Sequence, residues 1–449
     1  MNNARQDPRL IQRLVYPPPL VAWGIVAALF VAYLFSFIDR MLIGLLVEPI
    51  KADLSITDTE ISLLQGLAFA IFYTVAGLPI GRLIDRSRRV GIIAAGVALW
   101  SFMTALCAWA GSFWHFFLIR MGVGVGEATL SPAAYSIISD SFPRRRLGLA
   151  MGVYGLGSAI GAGVAFLVGA AVIGLLSNAE SVHIPILGEY RVWQVAFLVV
   201  GVPGFLVAAL FHFLPEPVRL DSTTNPAALE PVSLSEVWSF VRRQAPLLIG
   251  LILAASMVNL GLQGAIAWLP AMFMRVHALD ISSAGYVVGS ALIVGGLIGL
   301  IGGGFAGDWH KGGSSAGRLQ VCALATAFGV IGAVLFPLAE SVAAAWFGFV
   351  LFFAAAAVTI GAAPSILQQV VPNRMRGVLS ASYLFCITAI GVGLGPTVMA
   401  GLSDLFFVSA GGIRYAMAII CPASYLCALA LFVWSMRKAR SAEGGERAD

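Results

Sequence analysis

Apolar residues fall in long, nearly unbroken runs along this chain, and short polar stretches separate them. About 20 consecutive apolar residues are what a helix needs to cross a bilayer. The runs predict twelve such helices, at 21–48, 60–83, 90–110, 113–139, 146–175, 192–213, 245–274, 283–309, 318–337, 342–369, 375–402 and 414–436. Several exceed the length of one crossing, which allows tilt. The longest polar stretch, PEPVRLDSTTNPAALEPVSLSEVWSFVRR, separates the sixth run from the seventh. It divides the chain into a six-helix bundle at 21–213, a linker at 214–244 and a second bundle at 245–436, with tails at 1–20 and 437–449. Ser233 and Glu236 have capping-box spacing, which predicts a short helix at the membrane surface within the linker. The expected fold is an all-α membrane protein of twelve transmembrane helices.

Composition agrees. The 449 residues are 59% hydrophobic and 11% charged, against about a quarter charged in soluble domains. The net charge of +5 does not point to nucleic acid, because the basic residues sit at the ends of the runs. Placing both termini inside puts 21 of the 27 Lys and Arg on the cytoplasmic side. Lys51, Arg191, Arg275 and Arg414 are left outside, and Arg40 and Arg120 within the membrane. This bias predicts a multi-pass protein of the plasma (inner) membrane with both termini in the cytoplasm. The first twenty residues are polar and basic and end in Pro17, Pro18 and Pro19, unlike a cleaved signal, so the first run is expected to remain. The five cysteines form no CxxC pair and the five histidines scatter. No metal, cofactor or disulfide framework is expected.

Four charges interrupt the apolar runs: Asp39 and Arg40 in the first, Arg120 and Glu127 in the fourth. Each costs at least ~2.5–3.5 kcal/mol at the bilayer centre, so such residues pair, line a wet cavity or carry function. Arg120 and Glu127 are seven residues apart, on one helical face but about 10 Å along the axis, too far to pair directly. Their partners are therefore expected on the first helix, Asp39 with Arg120, and Arg40 or a proton with Glu127. Tyr33, Gln65 and Ser131 add neutral hydrogen-bonding groups to the same half. The second half carries no charge in the central parts of its seventh, eighth, tenth and eleventh helices, and offers Asn259, Gln263, Trp268, Gln368, Gln369 and Tyr383. One charged wall and one mostly apolar wall suit an amphiphile with an ionic head.

The two halves repeat. Gly81 and Asp85 recur as Gly304 and Asp308 at the ends of the second and eighth helices. Pro143, Arg145 and Gly148 recur as Pro372, Arg374 and Gly377. Two parallel six-helix repeats with a central linker resemble the major facilitator superfamily and imply its pseudo-symmetric fold. GRLIDRSRR, Gly81 to Arg89, resembles that superfamily's inner-gate motif, G-x-L-x-D-R-x-G-R-[RK], with Arg88 where the second glycine usually stands. Gly81, Asp85, Arg86 and Arg89 match it. Asp85 is expected to face the positive N-terminal end of the eleventh helix, and Arg86 or Arg89 to reach Asp140. Arg145, Asp308 and Arg374 complete the expected inner gate. The Gly122-Val-Gly124-Val-Gly126 run has no preceding strand and reads as close helix packing rather than a nucleotide loop.

FSFIDRMLIGLLVEPIKADLSITDTEISLLQG, from Phe35, and GVGVGEATLSPAAYSIISDSFP, from Gly122, resemble the spinster family of transporters. The resemblance implies proton-linked movement of lysophospholipids or sphingosine phosphates, with Asp39, Arg40, Arg120 and Glu127 as the charged pocket. The expected function is proton-coupled export of an anionic amphiphile by alternating access. In that scheme Arg40 and Arg120 hold the head group, and Asp39 and Glu127 carry protons. Protonation of Asp39 would free Arg120 for substrate. The expected partners are membrane lipids, the anionic amphiphile and protons, with no nucleic acid and a monomeric state. The same Asp-Arg and Glu-Ala steps also occur in anion:cation symporters, which leaves a small organic anion as the alternative. A non-transporting lipid receptor or scaffold is a third reading. No nucleophile–base constellation points to an enzyme.

Overall fold

The computed structural model describes residues 16–176, 181–184, 188–219, 234–310, 314–372, 375–407 and 411–445. Ser233 of the expected capping box lies outside them, as does Arg374. The first apolar run forms α1 (Pro19–Leu45), and a short helix α2 (Val47–Leu54) follows it. Ser55, at φ 53°, ends α2 in a left-handed turn. The second run is α3 (Asp58–Ser62), a π-helical turn (Leu63–Leu67) and α4 (Ala68–Arg86). The third is α5 (Arg89–Leu106), extended by a 3-10 turn. The fourth is broken into α6 (Phe113–Glu127) and α7 (Leu130–Ser141). Then come α8 (Arg144–Leu176), the antiparallel hairpin β1 (Ser181–Ile184) and β2 (Gly188–Arg191), and α9 (Val192–His212). The short linker helix is α10 (Leu234–Arg243). The second half is α11 (Ala245–His277), α12 (Ile281–Trp309), α13 (Ser315–Leu338) and α14 (Val342–Val370). Next are α15 (Arg376–Cys386), a π-helical segment (Ile387–Leu394) and α16 (Gly395–Phe406), and last α17 (Gly412–Gly445).

Eleven of these spans are long and apolar enough to cross a membrane unbroken. The fourth is the exception, because its break leaves pieces of 15 and 12 residues. At the break, Thr129 turns both its N–H and its hydroxyl onto the Gly126 carbonyl, which replaces the i→i−4 pattern. With α6 and α7 taken together the molecule has twelve spans and is a multi-pass membrane protein.

The chain divides into two compact units, the first from Met1–Leu42, Ile71–Ala165 and Leu175–Glu230 and the second from Ile43–Ala70, Phe166–Gly174 and Pro231–Asp449. In the first unit, glycines let backbones touch. A Cβ on Gly126 would lie 2.8 Å from the Trp100 nitrogen, and one on Gly201 would lie 2.5 Å from that of Ala105. Such approaches replace the hydrophobic drive that is missing between helices in lipid. Phe116 stacks on Trp193 beside Phe197 in the same core.

In the second unit, residues 43–70 pack against α11, α16 and the π segment at 387–394. A Cβ on Gly66 would lie 2.4 Å from the Val392 carbonyl oxygen. Residues 166–174 of α8 meet α12, where the Ser282 hydroxyl donates to the Ala170 carbonyl at 2.8 Å. Asp404 of α16 accepts from the Thr59 N–H and hydroxyl at 3.1 and 2.6 Å, so it caps the start of α3.

Candidate functional site

α1 and α6 bring the four membrane charges of the first unit into two pairs. Arg120 donates through Nη1 to Asp39 Oδ1 at 3.4 Å, and the Thr104 hydroxyl donates to the other oxygen of Asp39. Arg120 is 0% and Asp39 2% exposed, so this pair is sealed. Arg120 Nε and Nη2 have no hydrogen-bond partner among the described residues. In the second pair, Arg40 Nη2 bonds Glu127 Oε2, which also accepts from the Ser36 hydroxyl at 2.6 Å. Glu127 Oε1 has no partner among the described residues. The Arg40 side chain keeps 13% of its exposure, whereas that of Glu127 keeps 1%.

Aromatic rings surround the second pair. The Arg40 guanidinium lies 5.0 Å from the Phe37 ring centroid and 6.0 Å from that of Tyr73, within cation–π range. Tyr33 packs edge-on to Phe37 and stacks on Tyr154 at 4.6 Å. Ser131 and the Tyr154 hydroxyl are 3.2 Å apart. Tyr33, Asp39, Arg40, Arg120, Glu127 and Ser131 are therefore gathered in one unit. Ser36, Phe37, Tyr73, Thr104 and Tyr154 join them without having been singled out in the sequence.

The neutral candidates of the second unit are largely committed to backbone. Asn259 Nδ2 donates to the Ile387 carbonyl at 2.7 Å, and Trp268 Nε1 to that of Pro396 at 3.0 Å. Gln65 Nε2 donates to the Ala267 carbonyl at 3.2 Å, while its buried Oε1 has no partner among the described residues. The Ile387 carbonyl opens the π-helical stretch at 387–394 and that of Pro396 lies just beyond it, where the regular ladder is disturbed. Gln263 is half-buried, and Gln368 is exposed and donates to Ser380. A charged clamp lies in the same unit. Arg275 of α11 forms a bidentate pair with Asp58 at 2.5 and 2.8 Å and reaches Glu48 at 2.7 Å. Lys51 also bonds Asp58. The sequence places Lys51 and Arg275 only as topology markers at the ends of spans and does not single out Asp58 or Glu48.

The family model of the Major Facilitator Superfamily matches residues 29–396. The chain belongs to this superfamily. It is 27% identical over 391 residues to an MFS-type efflux pump of Mycolicibacterium smegmatis (strain ATCC 700084 / mc(2)155), covering 86% of this chain and 85% of that protein. To the probable L-galactonate transporter of Escherichia coli (strain K12) it is 25% identical over 406 residues, covering 88% and 79%. A crystal structure of a bacterial homologue of the human lysosomal transporter spinster, inward-facing and unoccupied, superposes with a TM-score of 0.77 at 25% identity, covering 94% of this chain and 98% of that one. The fold and the spinster resemblance read from the sequence are thus shown, and this superfamily member is a transporter rather than an enzyme.

The superfamily's loop motif has one firmly placed residue. Arg89 is fully buried, bonds Asp140 and the Ser136 hydroxyl, and donates to Glu216 and to the Pro217 carbonyl. Val90 N–H donates to the other oxygen of Glu216. Arg219 donates to the carbonyls of Ile84 and Ser87, at the end of α4 and just beyond it. Arg86 is exposed, and the space around Gly81 is open. The side chains of Asp85, Arg145 and Asp308 lie outside the description, like the whole of Arg374. Glu216 and Arg219 were missed because the stretch that holds them reads as plain linker.

Proposed function

We propose that this protein is a proton-coupled transporter that exports an anionic amphiphile, a lysophospholipid or a sphingosine-phosphate-like lipid, by alternating access. The Arg40–Glu127 pair carries this reading. It is the pair with residual access, its carboxylate has one oxygen without a partner among the described residues, and aromatic rings flank it. A proton on Glu127 cancels its hold on Arg40, and the guanidinium is then available to a phosphate or carboxylate head. Loss of that proton restores the pair and expels the head group. The sealed Asp39–Arg120 pair positions α1 against α6 beneath it. Arg275 with Asp58 and Glu48 serves as a gate at the α2 end, and Arg89 with Asp140 and Glu216 stiffens the 81–89 loop. The working protein is a monomer in the plasma membrane with both termini in the cytoplasm.

The test is flux in proteoliposomes. A lysophospholipid is offered with and without an imposed pH gradient, to wild type, Glu127→Gln and Arg40→Ala. Gradient-driven flux in the wild type that is lost in both variants is the expected result. Gradient-driven flux that survives Glu127→Gln overturns the coupling role. A second reading, symport of a sugar acid, draws on the hydroxyl groups of Tyr33, Ser36, Ser131 and Tyr154 near the charges and on the likeness to the probable L-galactonate transporter. Uptake of a sugar acid in liposomes that show no lysophospholipid flux would select it.

A further inference from the structure

A groove of about 470 Å³ opens on the first unit beside the 81–89 loop. Ile80 and Leu83 of α4 form one wall, and Ile92 and Leu99 of α5 the other. Val125 and Thr129 lie at its floor. The Thr129 hydroxyl is spent on the Gly126 carbonyl, at 2.8 Å, which leaves its methyl group as apolar surface. Only Ser87 and Arg88, at one end, bring polar side chains. Gly91 leaves the trough open there, since an added Cβ would meet nothing nearer than the Arg88 Cβ at 3.9 Å.

The groove's outer surroundings match this layout. Leu83 is 51% exposed along the flank, and Arg82, Arg86 and Arg88 are all exposed around the polar end. Glu216 and Asp140, acids at the same end of α5, are already bound to Arg89. Helix α5 also begins here, but its Val90 N–H already donates to Glu216, so the basic charge at this end comes from the arginines. An apolar trough inside a membrane span with a cationic mouth at its end complements one acyl chain joined to an anionic head. The volume is comparable to that of a single chain.

We propose that this groove binds an anionic phospholipid of the surrounding leaflet, with one acyl chain in the trough and the phosphate on Arg88. The lipid is a resident ligand, separate from the Arg40–Glu127 site. Its head group would bear on the short loop whose Ser87 carbonyl is held by Arg219 and whose Arg89 is locked to Asp140.

The test uses the full-length protein in phosphatidylcholine nanodiscs doped with photoactivatable phosphatidylglycerol or photoactivatable phosphatidylcholine, with cross-links mapped by mass spectrometry. Phosphatidylglycerol is expected to label Leu83, Ile92 and Leu99 in preference to phosphatidylcholine. Arg88→Gln should lower that preference about fivefold, the effect of one basic residue at an anionic surface. Gly91→Phe, or Ala95→Phe at an exposed position should the first fail to fold, should abolish labelling by both lipids at these residues. Equal labelling by the two lipids, or phosphatidylglycerol labelling untouched by these substitutions, overturns the proposal. Displacement by added lysophospholipid also overturns it, because the groove would then be a way in for the transported amphiphile.

Discussion

Asp39 and Glu127 each meet an arginine, yet removing the two carboxylates should have different consequences. Asp39 is sealed with Arg120, whose guanidinium is fully buried. Asp39→Asn strips that charge of its counter-ion, a change that costs about 3–5 kcal/mol for a buried pair. The expected result is a clear fall in melting temperature in detergent. Replacing both partners, Asp39→Leu with Arg120→Met, should recover most of it; a double variant as unstable as the sum of the singles would show that the two do not act as a pair. Glu127→Gln keeps an acceptor for Ser36 and should leave the melting temperature nearly unchanged. The choice of partners was legible in the sequence, since charges in apolar helices must pair across helices when their spacing forbids pairing within one. The hydroxyl groups were not. Ser36 reaches across to Glu127, whereas Ser158 returns its hydroxyl to Gly155 in its own helix at 2.8 Å, and nothing in the chain distinguishes the two residues.

Helices 58–86 and 376–406 each contain a π-helical stretch, and the two stretches touch through Gly66. A methyl group there would lie 2.4 Å from the Val392 carbonyl oxygen, so Gly66→Ala must push the backbones apart. Gly81→Ala meets nothing within 4 Å and should gain the roughly 0.5–1 kcal/mol that alanine has over glycine inside a helix. Melting curves of both variants in one detergent check the contrast, and equal shifts would refute it. Hydropathy finds the spans because a bilayer demands long apolar runs. It is blind to a π turn, which adds one residue to a run without altering its polarity, and to the break at Ala128–Thr129, which the sequence reads as one continuous helix 113–139. The helix Val47–Leu54 and the paired strands Ser181–Ile184 and Gly188–Arg191 were equally hidden, being too short to impose a period on the sequence.

Across the whole molecule, one arginine fastens segments more than 200 positions apart in the chain. Arg275 holds Asp58 and Glu48, the outlying ends of the first two spans, onto α11. Arg275→Gln should loosen that closure. A cysteine placed at Gln65, which is 6% exposed, should then react several-fold faster with a water-soluble maleimide in a background free of native cysteines. An unchanged rate would show that the clamp does not gate access to Gln65. Residues Glu216 to Arg219 have a practical consequence of another kind. They follow the sixth span, yet they are stitched to α4, α5 and α7 through Arg89, Val90 and the carbonyls at 84 and 87. A soluble carrier domain spliced in after Arg219 should therefore leave the melting temperature unchanged, whereas the same domain inserted between Pro215 and Glu216 should lower it. By the same logic, if the gene is cut in two for co-expression, the upstream fragment has to run through Arg219, or its loop is produced without the four residues that close it.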